Sequence, residues 1–187
     1  MNAVARKSRP GHQQLTLMAD LGLTNYKVSP LTLIFLIKGD EILTLRRSSN
    51  KKVYPNKLSG FGGKVEPGED LFTSAKREFF EETGLTLKEI SLRGMFMRMM
   101  DTGYLNQMYL FVANEFEGEP KKVSDEGEIQ WLKIEDFLNH PDIVDHVPSY
   151  LRQIIDGKDF YCGMGTYIHD KMTTYVSNES HFNERRN

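Results

Sequence analysis

Three glutamates, Glu78, Glu81 and Glu82, follow a glycine-rich loop in the stretch GFGGKVEPGEDLFTSAKREFFEETGL, residues 60–85. On a helix, residues three and four apart share a face, so these carboxylates gather on one turn. Like charges that close repel, and the only cation spaced to help is Arg77, four residues before Glu81. A divalent cation that takes hard oxygen ligands, Mg²⁺ or Mn²⁺, resolves the repulsion. Taken alone, the three glutamates also fit an acidic face that is simply solvated. The loop upstream supplies what a metal would bring with it. Gly60, Gly62 and Gly63 let backbone groups approach phosphate oxygens, and Lys64, Arg46 and Arg47 add positive charge nearby. The chemistry this set could do is metal-assisted work on a phosphate chain.

Such residues need elements to hold them. Residues 69–83 read as a helix of three turns that ends at Gly84, where a left-handed residue closes it. Leu71, Ala75 and Phe79 form its apolar stripe, apart from the glutamates. Upstream, LTLIFLIK and EILTLRR read as a hairpin turning at Gly39-Asp40. SSNKKVYPNKLS is a basic loop that leads into the glycines. Downstream, Leu92–Met100 and Gln107–Phe116 read as strands joined by Asp101-Thr102-Gly103, then residues 117–128 as a charged loop. A strand IQWLKI follows, with helices from about Glu135 and from Pro148 to Ile155. FYCGMGTYIHDKMTTYVS closes the pattern as a hairpin turning at His169-Asp170-Lys171. Interleaved strands and helices place the chain in the α/β or α+β class with a mixed sheet. Residues 1–28 read as an extension outside a domain at 29–187, with Leu15 to Leu23 as a short amphipathic helix.

The bulk composition narrows the function. The chain has 187 residues, 39% hydrophobic and 11% aromatic, enough for one domain with a core. A net charge of −2, from 24 basic and 26 acidic residues, argues against a nucleic-acid or membrane-surface binder. Cys162 is the only cysteine, so no internal disulfide forms and a reducing compartment is expected. The N-terminal stretch lacks the apolar core of a signal peptide, and Leu31 to Ile37 is too short to span a membrane. A cytoplasmic monomer or homodimer is the expectation.

Spacing separates the two readings of the acidic helix. Five residues part Gly63 from Glu69, seven part Glu69 from Arg77, and REFFEETGL then runs without a gap. This resembles the signature of the Nudix hydrolases, G-x5-E-x7-R-E-U-x-E-E-x-G-U with U apolar, and every fixed position matches. Phe79 is aromatic where an aliphatic residue is usual. The resemblance implies a strand–loop–helix motif in an α/β/α sandwich, and Mg²⁺-dependent cleavage of a diphosphate linked to another group. It implies that Glu78 and Glu82 bind metal and that Glu81 adds a ligand or orients water, with Arg77 holding it. It also implies a metal-binding carbonyl at Gly62, and a Glu69 that fixes loop and helix rather than touching metal.

NKLSGFGGKVEPGE further resembles the corresponding stretch of MutT-type oxidised-purine triphosphatases, and SDEGEIQW places Glu126 where these carry an extra metal-binding or catalytic glutamate. The likeness covers about residues 30–178. Two departures bear on the base: Leu58-Ser59 stands in place of Trp-Asn, and Asp145-His146-Val147-Pro148 lacks paired aspartates. On the strand after the helix, Phe96, Arg98 and Met100 share a face, and Met95, Met97 and Met99 the other. That first face either floors a nucleobase pocket, with Arg98 as its polar reader, or belongs to a methionine-rich core. Cys162 and Trp131 read as packed residues, and the five histidines lack zinc spacing.

The expected activity is hydrolysis of a nucleoside triphosphate, with 8-oxo-dGTP among the candidates, to monophosphate and pyrophosphate. Nucleotide sugars and dinucleoside polyphosphates are alternative substrates. A Nudix-fold nucleotide sensor without turnover is the alternative from another class.

Overall fold

The computed structural model describes residues 27–157, 159–169 and 171–178. The expected helix at Leu15–Leu23 and Asp170 of the last turn lie outside the described residues. The chain opens with β1 (Lys27–Lys38) and β2 (Glu41–Arg47), then β3 (Leu58–Ser59) and the helix α1 (Leu71–Thr83). β4 (Thr86–Leu87), β5 (Ile90–Met100), β6 (Tyr104–Ala113), β7 (Phe116–Glu117), β8 (Val123–Ser124) and β9 (Gly127–Lys133) follow. The rest is α2 (Ile134–Leu138), a 3₁₀ turn (Val147–Ser149), α3 (Leu151–Asp156), β10 (Tyr161–Ile168) and β11 (Lys171–Ser177).

β1 is apolar without alternation because it is buried on both faces. Leu33, Phe35 and Ile37 join one core with α2 and α3, while Ile34 and Leu36 join another with Ala75 and Phe79 of α1. A mixed sheet thus lies between helices, an α/β/α sandwich, in the order β11-β10-β5-β6-β1-β2-β9-β8 with β3 on β2. The hairpins are antiparallel, but β1 runs parallel to β6 and β5 parallel to β10. β4 and β7 form a separate two-stranded sheet. Among the described residues no helix is long and apolar enough to cross a membrane.

The boundaries differ from the expected ones in physically simple ways. β1 begins at Lys27, inside the supposed extension, because it is zipped to β6 from Lys27↔Tyr104 to Leu36↔Ala113. β6 starts at Tyr104 rather than Gln107, since Gly103 (φ 79°) turns the chain tightly and the ladder with β5 begins at once. The supposed charged loop contains β8, held by two rungs to the start of β9.

One arrangement positions the site. β2 pairs with β1 only next to their turn, at Ile37↔Ile42 and Lys38↔Glu41. The outer edge of β1 is therefore open further back, and the glycine loop docks on it. Ile34 N–H donates to Phe61 O (2.7 Å), Phe61 N–H returns to Ile34 O (3.1 Å), and Thr32 N–H donates to Gly63 O (2.9 Å). The loop then enters α1 through Asp70, whose carboxylate accepts from the N–H groups of Phe72 (2.8 Å) and Thr73 (3.1 Å). Gly84 ends the helix in the left-handed region at φ 76°.

Candidate active site

Two cavities flank the contact between the glycine loop and α1. The first, about 440 Å³, is acidic: α1 supplies Glu78, Glu81 and Glu82, and the segment before β9 supplies Lys121, Asp125 and Glu126. The helix and the loop are interlocked at this point. Gly62 N–H donates to Glu82 Oε2 at 3.0 Å. A Cβ on Gly63 would lie 2.4 Å from the Glu78 carboxylate, so only glycine lets that side chain lie against the backbone.

Glu82 is buried, which is unusual for a carboxylate. Burial pushes it up to about 8, and the charges of Glu126 and Glu78 push the same way against the Gly62 N–H and Arg47. An ionised Glu82 near neutral pH therefore calls for a cation. The donors facing the cavity are oxygen atoms, the set that suits Mg²⁺ or Mn²⁺. Among the described residues no three His, Cys, Asp or Glu side chains stand close enough together to hold a metal ion by themselves.

Arg77 contacts Glu81 and engages two further carboxylates of the acidic turn and loop. Its guanidinium grips both oxygens of Glu69 (2.6 and 2.9 Å) and one of Glu78 (2.9 Å), and reaches Glu81 at 3.3 Å. It holds Glu69 down to about 2, so Glu69 stays ionised as the buckle between loop and helix. Glu81 is the exposed member of the cluster. Glu126 is itself paired, with Lys51 at 2.7 Å and Arg47 at 3.5 Å.

The second cavity, about 280 Å³, lies across the loop and is lined by Ser59, Gly62, Gly63, Lys64, Arg47, Arg98, Tyr54, Asn106 and His146, among others. Ser59, Gly63, Lys64, Arg47 and Arg98 are thus brought together as expected. Arg46 is not. Successive residues of β2 point to opposite faces, and Arg46 turns to the Asn56 carbonyl (3.1 Å) and Asp142 (3.4 Å). Phe96 is fully buried one layer below, stacked on His146 at 5.3 Å, so it supports the cavity without lining it.

Sequence pattern does not single out Asp125, Lys121, Asn106, Tyr54 or His146 as site residues. Asn106 carries a visible signal, an asparagine inside a β-rich run, and stands level with Arg98 on β5. The others sit on loops, where no periodicity marks them.

His146 is buried, its Nδ1 3.0 Å from the Tyr150 hydroxyl. Burial, with Arg98 nearby, holds it down to about 3, so it is neutral at physiological pH. A histidine lowered in the folded state contributes stability above its unfolded value near 6.5, and loses it as pH falls toward 3. Removing it by His146→Phe should therefore cut the acid sensitivity of unfolding by roughly 2 kcal/mol between pH 7 and 4.5. Urea titrations of both proteins at the two pH values check this; equal sensitivity would mean that His146 titrates normally.

The arrangement matches known proteins. The family profile described as NUDIX domain matches residues 29–153. An oxidized purine nucleoside triphosphate hydrolase from Danio rerio is 34% identical over 107 residues, covering 56% of this chain and 66% of that protein. An 8-oxo-dGTP diphosphatase from Buchnera aphidicola subsp. Schizaphis graminum is 31% identical over 134 residues, covering 69% of this chain and 97% of that protein. The first three curated relatives are matched over about half to two thirds of their length. Among solved structures, a mutator MutT protein from Bacillus halodurans is similar with a TM-score of 0.72 at 27% identity, covering 81% of this chain and 98% of that one. The match extends over the strands, loop and helix that build the acidic cavity, and on that basis the chain belongs to the Nudix family.

Proposed function

We propose that the protein hydrolyses a nucleoside 5′-triphosphate to the monophosphate and pyrophosphate, with Mg²⁺ or Mn²⁺ held in the acidic cavity. The observation that carries this is the junction of the two cavities: Glu82 of one accepts from Gly62 of the other. A phosphate chain laid over the glycines would have carboxylates on one side and room for a nucleoside on the other. Glu78, Glu82 and Glu126, with the Gly62 carbonyl, would hold the metal, which when bound offsets phosphate charge and lowers the pKa of water.

The protein's own groups do the positioning. The Gly62 N–H fixes Glu82, and Arg77 fixes Glu78 and Glu81 while buckling Glu69 to the loop. Arg47 and Lys64 line the nucleoside cavity beside the glycines and would take phosphate oxygens. One carboxylate of the cluster accepts the proton of the attacking water. The names borne by the relatives favour triphosphates as the substrate class.

Base selectivity should be weak. Among the described residues no carboxylate lines the nucleoside cavity, where Ser59 offers one short hydroxyl and Asn106 a single amide. Strong rejection of an analogue needs buried polar groups that it would leave unpaired. A panel of dGTP, 8-oxo-dGTP, dATP, dCTP, nucleotide sugars and dinucleoside polyphosphates, with both products identified, tests the proposal. Triphosphates should turn over with Mg²⁺ or Mn²⁺, poorly with Ca²⁺ and not in EDTA. Preference for 8-oxo-dGTP over dGTP should stay below about 1,000-fold. Nucleotide binding without product would mark a sensor, and metal-independent turnover would end the proposed mechanism.

A further inference from the structure

A third cavity, about 680 Å³, opens behind the nucleoside cavity and is lined by Lys52, Lys57, Lys171 and Arg98, with Asp145 among apolar residues. The two cavities share Val53, Tyr54, Arg98 and Val144 in their walls, so they adjoin at these side chains. Four cations face a single carboxylate there. That carboxylate is already engaged, since Asp145 Oδ1 accepts from the Tyr54 hydroxyl at 3.2 Å and the Tyr167 hydroxyl at 3.4 Å.

Arg98 is the built part of this site. It is 5% exposed, near the C-terminal end of β5 and paired on both sides, where a solvated surface arginine would not lie. Its guanidinium sits over the Tyr167 ring at 4.4 Å and the Tyr54 ring at 5.0 Å. Asp145 tethers both of those rings, which fixes the plane of the fork between them. Burial keeps the two phenols protonated, so both remain donors to Asp145. A planar fork held in place suits two oxygens of one phosphate, while the exposed lysines act as mobile point charges around it. Lys57 is partly committed to Asp142 at 3.7 Å, which leaves Lys52 and Lys171 as the surface pair facing the opening.

We propose that this cavity binds a second phosphate carried by the substrate, remote from the diphosphate that is cleaved. The enzyme would then prefer nucleotides phosphorylated at both ends, a narrowing of the proposed triphosphatase reading on which it rests. The substrate would lie across both cavities, with its scissile end at the glutamates and its far end at Arg98.

Binding tests this without turnover. Adenosine 3′,5′-bisphosphate and adenosine 5′-monophosphate carry no anhydride to cleave, and each can be titrated calorimetrically into the full chain. The bisphosphate is expected to bind at least tenfold more tightly, and Lys52→Glu/Lys171→Glu should erase that ratio. The lysines are exposed, so this double variant tests the site even if Arg98→Gln fails to fold. Equal affinities in the unaltered protein overturn the proposal, as does a ratio that survives the double variant. Inorganic phosphate is the third probe: saturable binding with the two nucleotides bound alike would assign the cavity to a free anion and overturn the substrate-borne reading. A tenfold preference alongside no hydrolysis of any nucleotide would uphold the subsite and overturn the hydrolase reading alone.

Discussion

Glu82→Gln is expected to make the metal-free protein more stable above neutral pH while removing at least about 99% of its turnover. Both effects follow from one buried carboxylate. Burial first, then the Glu126 and Glu78 charges, push Glu82 up to about 8. Because the folded chain holds this proton more tightly than the unfolded chain, stability falls as pH rises from about 4.5 to 8. Below that window both states are protonated and the substitution should change little. Above it, glutamine relieves up to about 4 kcal/mol, and its amide oxygen can still accept from the Gly62 N–H. Mg²⁺ should reverse the ranking, since it stabilises only the folded state that binds it. Urea unfolding in EDTA at pH 5 and 8.5, beside turnover in saturating Mg²⁺, separates the two effects. A variant no more stable at pH 8.5 would mean that burial does not penalise the ionised Glu82, and one that keeps a tenth of the activity would take Glu82 out of the metal site.

Gly62→Ala should cost about 3 kcal/mol or more, among the largest losses a single methyl can cause here. Gly62 has φ 143°, where side chains are rarely found, and a Cβ there would lie 2.1 Å from the Thr32 carbonyl oxygen. Thr32 cannot step aside. Its N–H is bound to Gly63 O at 2.9 Å, and β1 pairs it with Tyr109 on β6. The loop must therefore lift from the β1 edge, which also withdraws the N–H from Glu82. Gly68 is the control: it too has a positive φ, 91°, but its Cβ would meet nothing within 4 Å. Gly68→Ala should cost only about 1 kcal/mol of backbone strain. Urea midpoints of the two variants decide the point, and comparable losses would show that φ, not the Thr32 contact, governs Gly62.

Local pattern determines a good part of this protein. The α1 helix is legible in the sequence because its apolar stripe, its glutamates and Gly84 are fixed by a period of 3.6 residues. The hairpins are legible because Gly39-Asp40 and Asp101-Thr102-Gly103 are turn chemistry between β-rich runs. The glycine spacing and acidic turn point to a metal-assisted phosphate site, and the family follows from them. Other features depend on register and packing between segments far apart in sequence, which no local period encodes. The short pairing of β1 with β2 leaves an open edge for the glycine loop, and thereby brings Gly62 to Glu82. Pairing on β2 turns Arg47 toward the cavity and Arg46 toward Asp142, although the two are adjacent. Core packing takes Phe96 out of the pocket and puts His146 into its wall. Arg98 can be named from its strand face, but its clamp between Tyr54 and Tyr167 exists only because a loop, β5 and β10 converge on Asp145. Period fixes which residues face together within an element; only the closing of distant elements on one another decides what they face.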